Sequence, residues 1–374
     1  MSTYQKIGTV EAIALIVTII INQIILNLPD VIIRATGSSS WINAIYISII
    51  AIIFCALVCK LFKPFSSSDD ILDVSGYLGG NVLKFIIGIA YFAFFIFVSG
   101  ISLRYLANSI KLIYFEETPI IFLLMFFLFP TVIACKSGIK NIAQVNLMFM
   151  PILLISMLII LFATVKDFIP QRIFPILGFG ADKTFLVGIN NIFAFSGFAY
   201  LYFLIPILKN PEKFKKVAFI STIISAVYLF LGVICLLMMF SFISFSEELL
   251  SVYLLTRMIE FGRFFQRIDA IFILIWILAM ISFLSISSFF SIYVVDKLVR
   301  FKNPDELSYC IASFIFVVAL SVKNISQIKF IQSMVFKYVI ISLVFVVSFI
   351  ILILANLKHR KEKLQWKRKL CVYF

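Results

Sequence analysis

The chain has 374 residues, of which 63% are hydrophobic and only 13% are charged. A water-soluble domain carries about 45–50% apolar and about 25% charged residues, so no soluble fold of this length can hide so much apolar surface. The formal net charge is +14, but the cations sit in short connections and one tail, which points to anionic lipid headgroups and excludes a nucleic-acid partner.

A helix needs about 20 apolar residues to cross about 30 Å of hydrocarbon. Runs of that kind fall, in chain order, at 10–34, 41–62, 83–113, 119–135, 142–165, 184–207, 216–243, 268–296, 306–322 and 333–356. The expected fold class is therefore an all-α integral membrane protein with about ten transmembrane helices. Residues 1–357 read as one transmembrane domain, with halves at about 10–165 and 184–356, followed by a basic tail at 358–374. The start shows no A-x-A-like cleavage site after a short apolar core, so the first helix is read as retained.

The first span contains Asn22, Asn27, Leu28, Pro29 and Asp30. Pro29 has no N–H to donate and clashes with the carbonyl of Ile25, so it breaks or kinks the helix. An interrupted helix is tolerated in lipid only where protein or a watery cavity covers it. The third span carries a small polar face at Ser99, Gly100 and Ser102, with Arg104 close behind. Two connections are long: 166–183, with Pro170 and Pro175, and 244–267. Within the second, 248–260 mixes apolar and charged positions at helical spacing, which suits either a surface helix or a loop packed on the spans.

The sixth span holds Phe195, Ser196, Gly197 and Phe198 near its middle. Gly197 weakens the helix and admits a close approach to the backbone; a small-residue helix contact would use it equally well. The eighth span is serine-rich at Ser282, Ser285, Ser287, Ser288 and Ser291, which suits a cavity wall or helix packing. Five spans per half, each half opening on an interrupted helix, is the layout of an inverted-repeat transporter with a site at the bilayer midplane.

Both termini share a side. Twenty Lys and Arg lie on that side and 12 on the other, and the tail supplies seven of the 20. The excess places the termini in the cytoplasm, and the tail is read as irregular chain near headgroups. Catalytic chemistry is missing: the single histidine, His359, is in the tail, and no nucleophile–base constellation or metal-ligand set is visible. No enzyme activity, cofactor or metal is expected, and Cys55 and Cys59 read as packing residues.

Four stretches carry a resemblance to a known family. They are Leu28-Pro29 ending the first span; Arg172-Ile173-Phe174-Pro175-Ile176-Leu177-Gly178-Phe179-Gly180; Gln266-Arg267-Ile268-Asp269-Ala270 entering the eighth span; and Lys209-Asn210-Pro211. Together they resemble the B subunit of spore nutrient-germinant receptors, the endospore germination permeases of the amino acid/polyamine/organocation superfamily. That resemblance implies a small nutrient ligand such as an amino acid, and A-type and C-type receptor subunits as partners in the spore inner membrane. Phe174, Pro175, Gly178, Gly180, Arg267 and Asp269 are its motif positions. The expected ligand-binding residues are Asn27, Leu28 and Pro29 at one break, Phe195, Ser196, Gly197 and Phe198 at the other, and Ser99, Ser282 and Ser285. Many relatives have glycines at the first break, whereas this chain has none between Gly8 and Gly37. The alternative function is a secondary active amino acid transporter coupled to H⁺ or Na⁺.

Overall fold

The computed structural model describes residues 5–26, 28–240, 251–259, 268–331, 334 and 337–372. Among these the regular structure is helical, and a lone parallel bridge joins Ile7 to Leu208. Helices are what hydrocarbon demands, because every backbone donor and acceptor must be satisfied inside the segment.

The ten spans are present. The first comprises Thr9–Leu26 and Leu28–Thr36, and the second is Ser40–Phe62. The third lies within Ile71–Tyr114, the fourth is Ile120–Lys136 and the fifth is Gly138–Thr164. The sixth winds through Asp182–Val187, Gly188–Phe195, Phe198–Leu201 and Ile205–Ile207. The seventh is Phe214–Met239, the eighth Ile268–Val299 and the ninth Leu307–Ser321. A short helix, Ile325–Phe330, comes before the tenth, which runs through Lys337–Ile340 and Ile341–Val347 into Ser348–Val372. Among the described residues, seven helices are individually long and apolar enough to cross. Of the other three spans, the first is described in two pieces on either side of Asn27, the fourth has only 17 residues, and the sixth is wound in π and 3₁₀ turns.

The third span shows how local sequence sets an entry. The Asp70 carboxylate accepts from the backbone N–H groups of Leu72 and Asp73 at 2.9 and 3.2 Å. Asp73 accepts from the Asp70 N–H at 3.3 Å, which completes a capping box. The helix then breaks at Gly79 and Gly80, where Gly80 takes φ 69°. A short helix therefore precedes the span itself.

Contacts sort the connections onto two faces, as ten crossings require. On the terminal face, Ile7 N donates to Ile207 O and Lys209 N donates to Ile7 O, both at 2.9 Å. On the same face Lys297 at the end of the eighth span bonds Asp70 at 2.5 Å. On the far face, Ile169 N donates to Met238 O at 3.2 Å and Arg104 donates to Lys323 O at 2.8 Å. The tail differs from expectation, since the last helix runs on through Lys358 to Val372. It is held by the second-to-third connection: Lys358 donates to the Tyr77 backbone carbonyl at 2.6 Å, the Tyr77 hydroxyl donates to Glu362 at 2.5 Å, and the His359 ring lies 6.2 Å from Phe65.

Candidate functional site

In the first span, Leu28, Pro29 and Asp30 are buried within Leu28–Thr36. Asn27 lies outside the described residues. Asn22 turns away from its own span and donates to Ala279 O of the eighth at 2.6 Å, which ties the interrupted helix to the serine-rich one.

The sixth span passes directly behind this helix. Phe195, Ser196 and Phe198 are all buried. A Cβ on Gly197 would stand 2.5 Å from the Ile20 side chain, so glycine is what allows the two interrupted spans to touch. Of the two uses read for Gly197, the close helix contact is the one present. The interruption is also broader than one broken turn, because 3₁₀ winding runs from Gly188 to Phe195 and N–H groups beyond it reach back three residues, as in Ala199 N to Ser196 O at 3.0 Å. Phe198 packs edge-on to Phe54 at 5.5 Å.

The expected hydroxyls divide. Ser99 donates to Ser287 at 2.8 Å, Tyr200 donates to Ser287 at 3.0 Å, and Ser287 donates to Phe95 O at 3.2 Å. This knot joins the third, sixth and eighth spans, and rings of Phe95, Tyr200 and Phe290 close over it, with centroids 4.8 Å apart for Phe95–Tyr200 and 5.4 Å for Tyr200–Phe290. Ser285 is occupied locally, donating to Ile281 O at 2.7 Å.

Ser282, of the expected set, lines an open space. A cavity of about 90 Å³ lies where the first, fifth and eighth spans meet, walled by Thr18, Asn146, Met150, Leu153, Ala279 and Ser282 among others. That is several times the roughly 10–15 Å³ one buried water needs. Asn146 is fully buried, yet neither its Nδ2 nor its Oδ1 has a partner, and the Thr18 hydroxyl and Asn22 Oδ1 are also unpaired. Asn146 and Thr18 were not singled out from the sequence. Asn146 is visible there as an amide inside an apolar run, whereas Thr18 resembles any helix-packing threonine.

On the far face the glycine-rich motif forms a strap over the turn between the first two spans. Ser38 donates to Pro175 O at 2.6 Å, across a cis Phe174–Pro175 bond. Gly178 (φ 53°) presses against the Thr36 carbonyl where no side chain fits, and Gly180 takes φ 111°. Beneath the strap, Ser39 and Thr184 share a hydrogen bond of 2.6 Å, Asn43 donates to Thr184 O at 2.7 Å, and Asn191 donates to Asn43 at 2.8 Å. Asp269 is buried at the entry to the eighth span; Arg267 lies outside the described residues.

The terminal face is closed by charge. Asp70 is wholly buried and holds Lys297 and Tyr293, and Lys297 also reaches Asp73. Burial pushes the Asp70 carboxyl above its ordinary range against the pull of Lys297. Among the described residues no cluster of His, Cys, Asp or Glu is built to hold a metal.

Residues 6–328 match a protein-family model described as spore germination protein. Over 369 residues the chain is 21% identical to spore germination protein YndE of Bacillus subtilis (strain 168), covering 97% of this chain and 99% of that protein. It is 23% identical over 215 residues to spore germination protein B2 of the same organism, covering 57% of each. Among solved structures it is similar to the inward-facing conformation of Mhp1, with TM-score 0.59 at 13% identity over 91% of this chain and 74% of that one. A closed, bromovinylhydantoin-bound form of Mhp1, a nucleobase-cation-symport-1 family transporter, gives TM-score 0.60 at 12% identity over 93% and 78%. At such identities the likeness is one of fold, and that fold is the inverted-repeat transporter architecture with its first and sixth helices interrupted.

Proposed function

The chain belongs to the spore germination protein family, and from that premise we propose that it is the permease-like, ligand-sensing subunit of a spore nutrient-germinant receptor. The observation that carries this reading is the contact of the two interrupted spans, Ile20 against Gly197, buried beside the hydroxyl knot of Ser99, Ser287 and Tyr200. Irregular backbone is costly in a membrane and is kept where a site needs it. The ligand is a small nutrient such as an amino acid, held between the first, third, sixth and eighth spans by Leu28, Pro29, Asn27, Ser99, Phe195, Ser196 and Phe198, with Ser282 and Ser285 behind them. Aromatic rings fill that space in this structure, so binding requires the third and sixth spans to part.

A-type and C-type receptor subunits are the partners, in the spore inner membrane with both termini in the cytoplasm; the basic tail supports that orientation. Calorimetry of the purified protein against each proteinogenic amino acid tests the reading. At least one should bind, and Ser196→Ala should weaken it about tenfold, the worth of roughly one hydrogen bond. Absence of binding by every amino acid, with the protein folded, overturns it. The likeness in fold to a transporter favours a second reading, coupled uptake of an amino acid. Concentrative uptake of labelled substrate by this chain alone in vesicles would establish that reading over sensing.

A further inference from the structure

We propose that the terminal face carries a binding site for an anionic phospholipid, where the end of the second span meets the start of the seventh. Three observations converge on it.

The charge there is one-sided. Residues 60–64 and 209–216 hold six lysines, Lys60, Lys63, Lys209, Lys213, Lys215 and Lys216, against one acid, Glu212. All six are exposed. The ion pairs seen among the described residues engage Lys84 and Lys297, not these six. Topology asks only for a sum of cations on one face. Elsewhere on this face the sum is nearly balanced, with Lys136, Lys140, Arg300 and Lys302 set among Asp296, Asp305 and Glu306. Like charges gathered without acids repel one another, so the lysine-rich sector is the one that calls for an added anion.

The two span ends form one patch. Phe62 packs edge-on to Phe214 with ring centroids 5.9 Å apart, which joins the cations of the two segments. The Lys215 ammonium lies 5.7 Å from the centre of the Phe219 ring, one turn further into the seventh span. Its charge is thereby drawn back along the helix towards the level of the headgroups.

Below the charge the surface is apolar. On the second span Lys60 tops an exposed row of Leu57 and Ile53, and on the seventh Lys216 tops an exposed row of Ile223 and Val227. These spacings of three, seven and eleven residues keep each row on one helix face. A cation at the end of a lipid-facing apolar row matches a phospholipid along its length: phosphate against ammonium, acyl chains along the row. An acidic protein in the aqueous phase would meet the lysines and leave both rows unused, so the geometry favours lipid. The headgroup must carry net negative charge, because a choline headgroup brings its own cation against the six already present.

The test is native mass spectrometry of the full-length protein in detergent micelles, titrated with phosphatidylglycerol or with phosphatidylcholine of the same chains. Phosphatidylglycerol should bind at least about tenfold more tightly, on the scale of the charges gained near the surface. Glycerol 3-phosphate, which lacks the chains, should not displace it. Lys60→Gln combined with Lys216→Gln should weaken phosphatidylglycerol about thirtyfold, the loss expected for two lysines. Lys136→Gln combined with Lys140→Gln removes the same charge from the balanced sector and should leave binding within about threefold of wild type, since that sector lies outside the patch. Four results would overturn the proposal: equal binding of phosphatidylcholine, displacement by glycerol 3-phosphate, equal loss in the two double variants, or displacement of the lipid by a poly-glutamate peptide. The lipid comparison and the displacement arms need no variant, so a misfolded mutant still leaves the proposal open to refutation.

Discussion

Two buried polar clusters in this protein look alike in sequence and differ in what their atoms do. In the knot of Ser99, Tyr200 and Ser287 each hydroxyl has a partner, and aromatic rings cover the group. Around Asn146 the amide and the Thr18 hydroxyl have none, and they lie behind the apolar wall of a cavity. Both are interior, and neither contains a charge. The difference shows that polarity inside a membrane span does not by itself mark a site. A satisfied cluster cements helices together, while an unsatisfied one leaves hydrogen-bonding groups uncompensated inside the membrane.

Three substitutions sharpen that contrast, read as thermal or denaturant unfolding of the purified protein in nanodiscs. The largest effect belongs to a third cluster, satisfied and charged. Lys297→Met leaves Asp70 buried without its cation and should cost about 3–5 kcal/mol. The sign with pH follows from the raised Asp70 carboxyl. A carboxyl whose folded pKa lies above its unfolded value supports folding at low pH and loses that support as pH rises through the folded value. The variant should therefore be closest to wild type in acid and worsen towards neutrality; a pH-independent loss would show that Asp70 is not what Lys297 compensates. Next comes the satisfied neutral knot. Ser287→Ala strands the Tyr200 hydroxyl and should cost about 1–3 kcal/mol. The smallest effect, of opposite tendency, is in the unsatisfied cluster: Asn146→Leu removes two orphaned groups and should be neutral or stabilising by about 1 kcal/mol. Equal destabilisation by Ser287→Ala and Asn146→Leu would erase the distinction between the clusters.

Much of the frame was legible in the sequence, because run length and breakers are direct consequences of bilayer thickness and backbone chemistry. The short fourth span was read correctly at 119–135 against the observed Ile120–Lys136. The break expected beside Pro29 falls at Asn27, outside the described residues, and Pro29 itself lies in the helix Leu28–Thr36. The sixth span was harder. Ser196–Gly197 suggested one local break, but the 3₁₀ winding begins at Gly188 and depends on what packs around it, Ile20 above all. The tail was misread because a run of cations in isolation favours solvent, and nothing local announces that Lys358 and Glu362 will find Tyr77. The state of Asn146 was invisible for a related reason: an orphaned amide is defined by the absence of neighbours, which no single stretch of sequence records. Ser99 on the third span and Ser282 and Ser285 on the eighth are alike as hydroxyls inside spans, and structure separates them into knot, cavity wall and local helix bond.

The last helix has a mechanical consequence. From Lys358 to Val372 it continues the tenth span past the terminal face as one rod, about 22 Å long at 1.5 Å per residue. A rod amplifies angle into distance: a tilt of about 10° at its root sweeps the far end through roughly 4 Å, on that same geometry. Its root is fastened to Tyr77, on the short helix that leads into the third span. A small rearrangement among the buried helices would thus reach the aqueous side as a displacement large enough for a neighbouring protein to read.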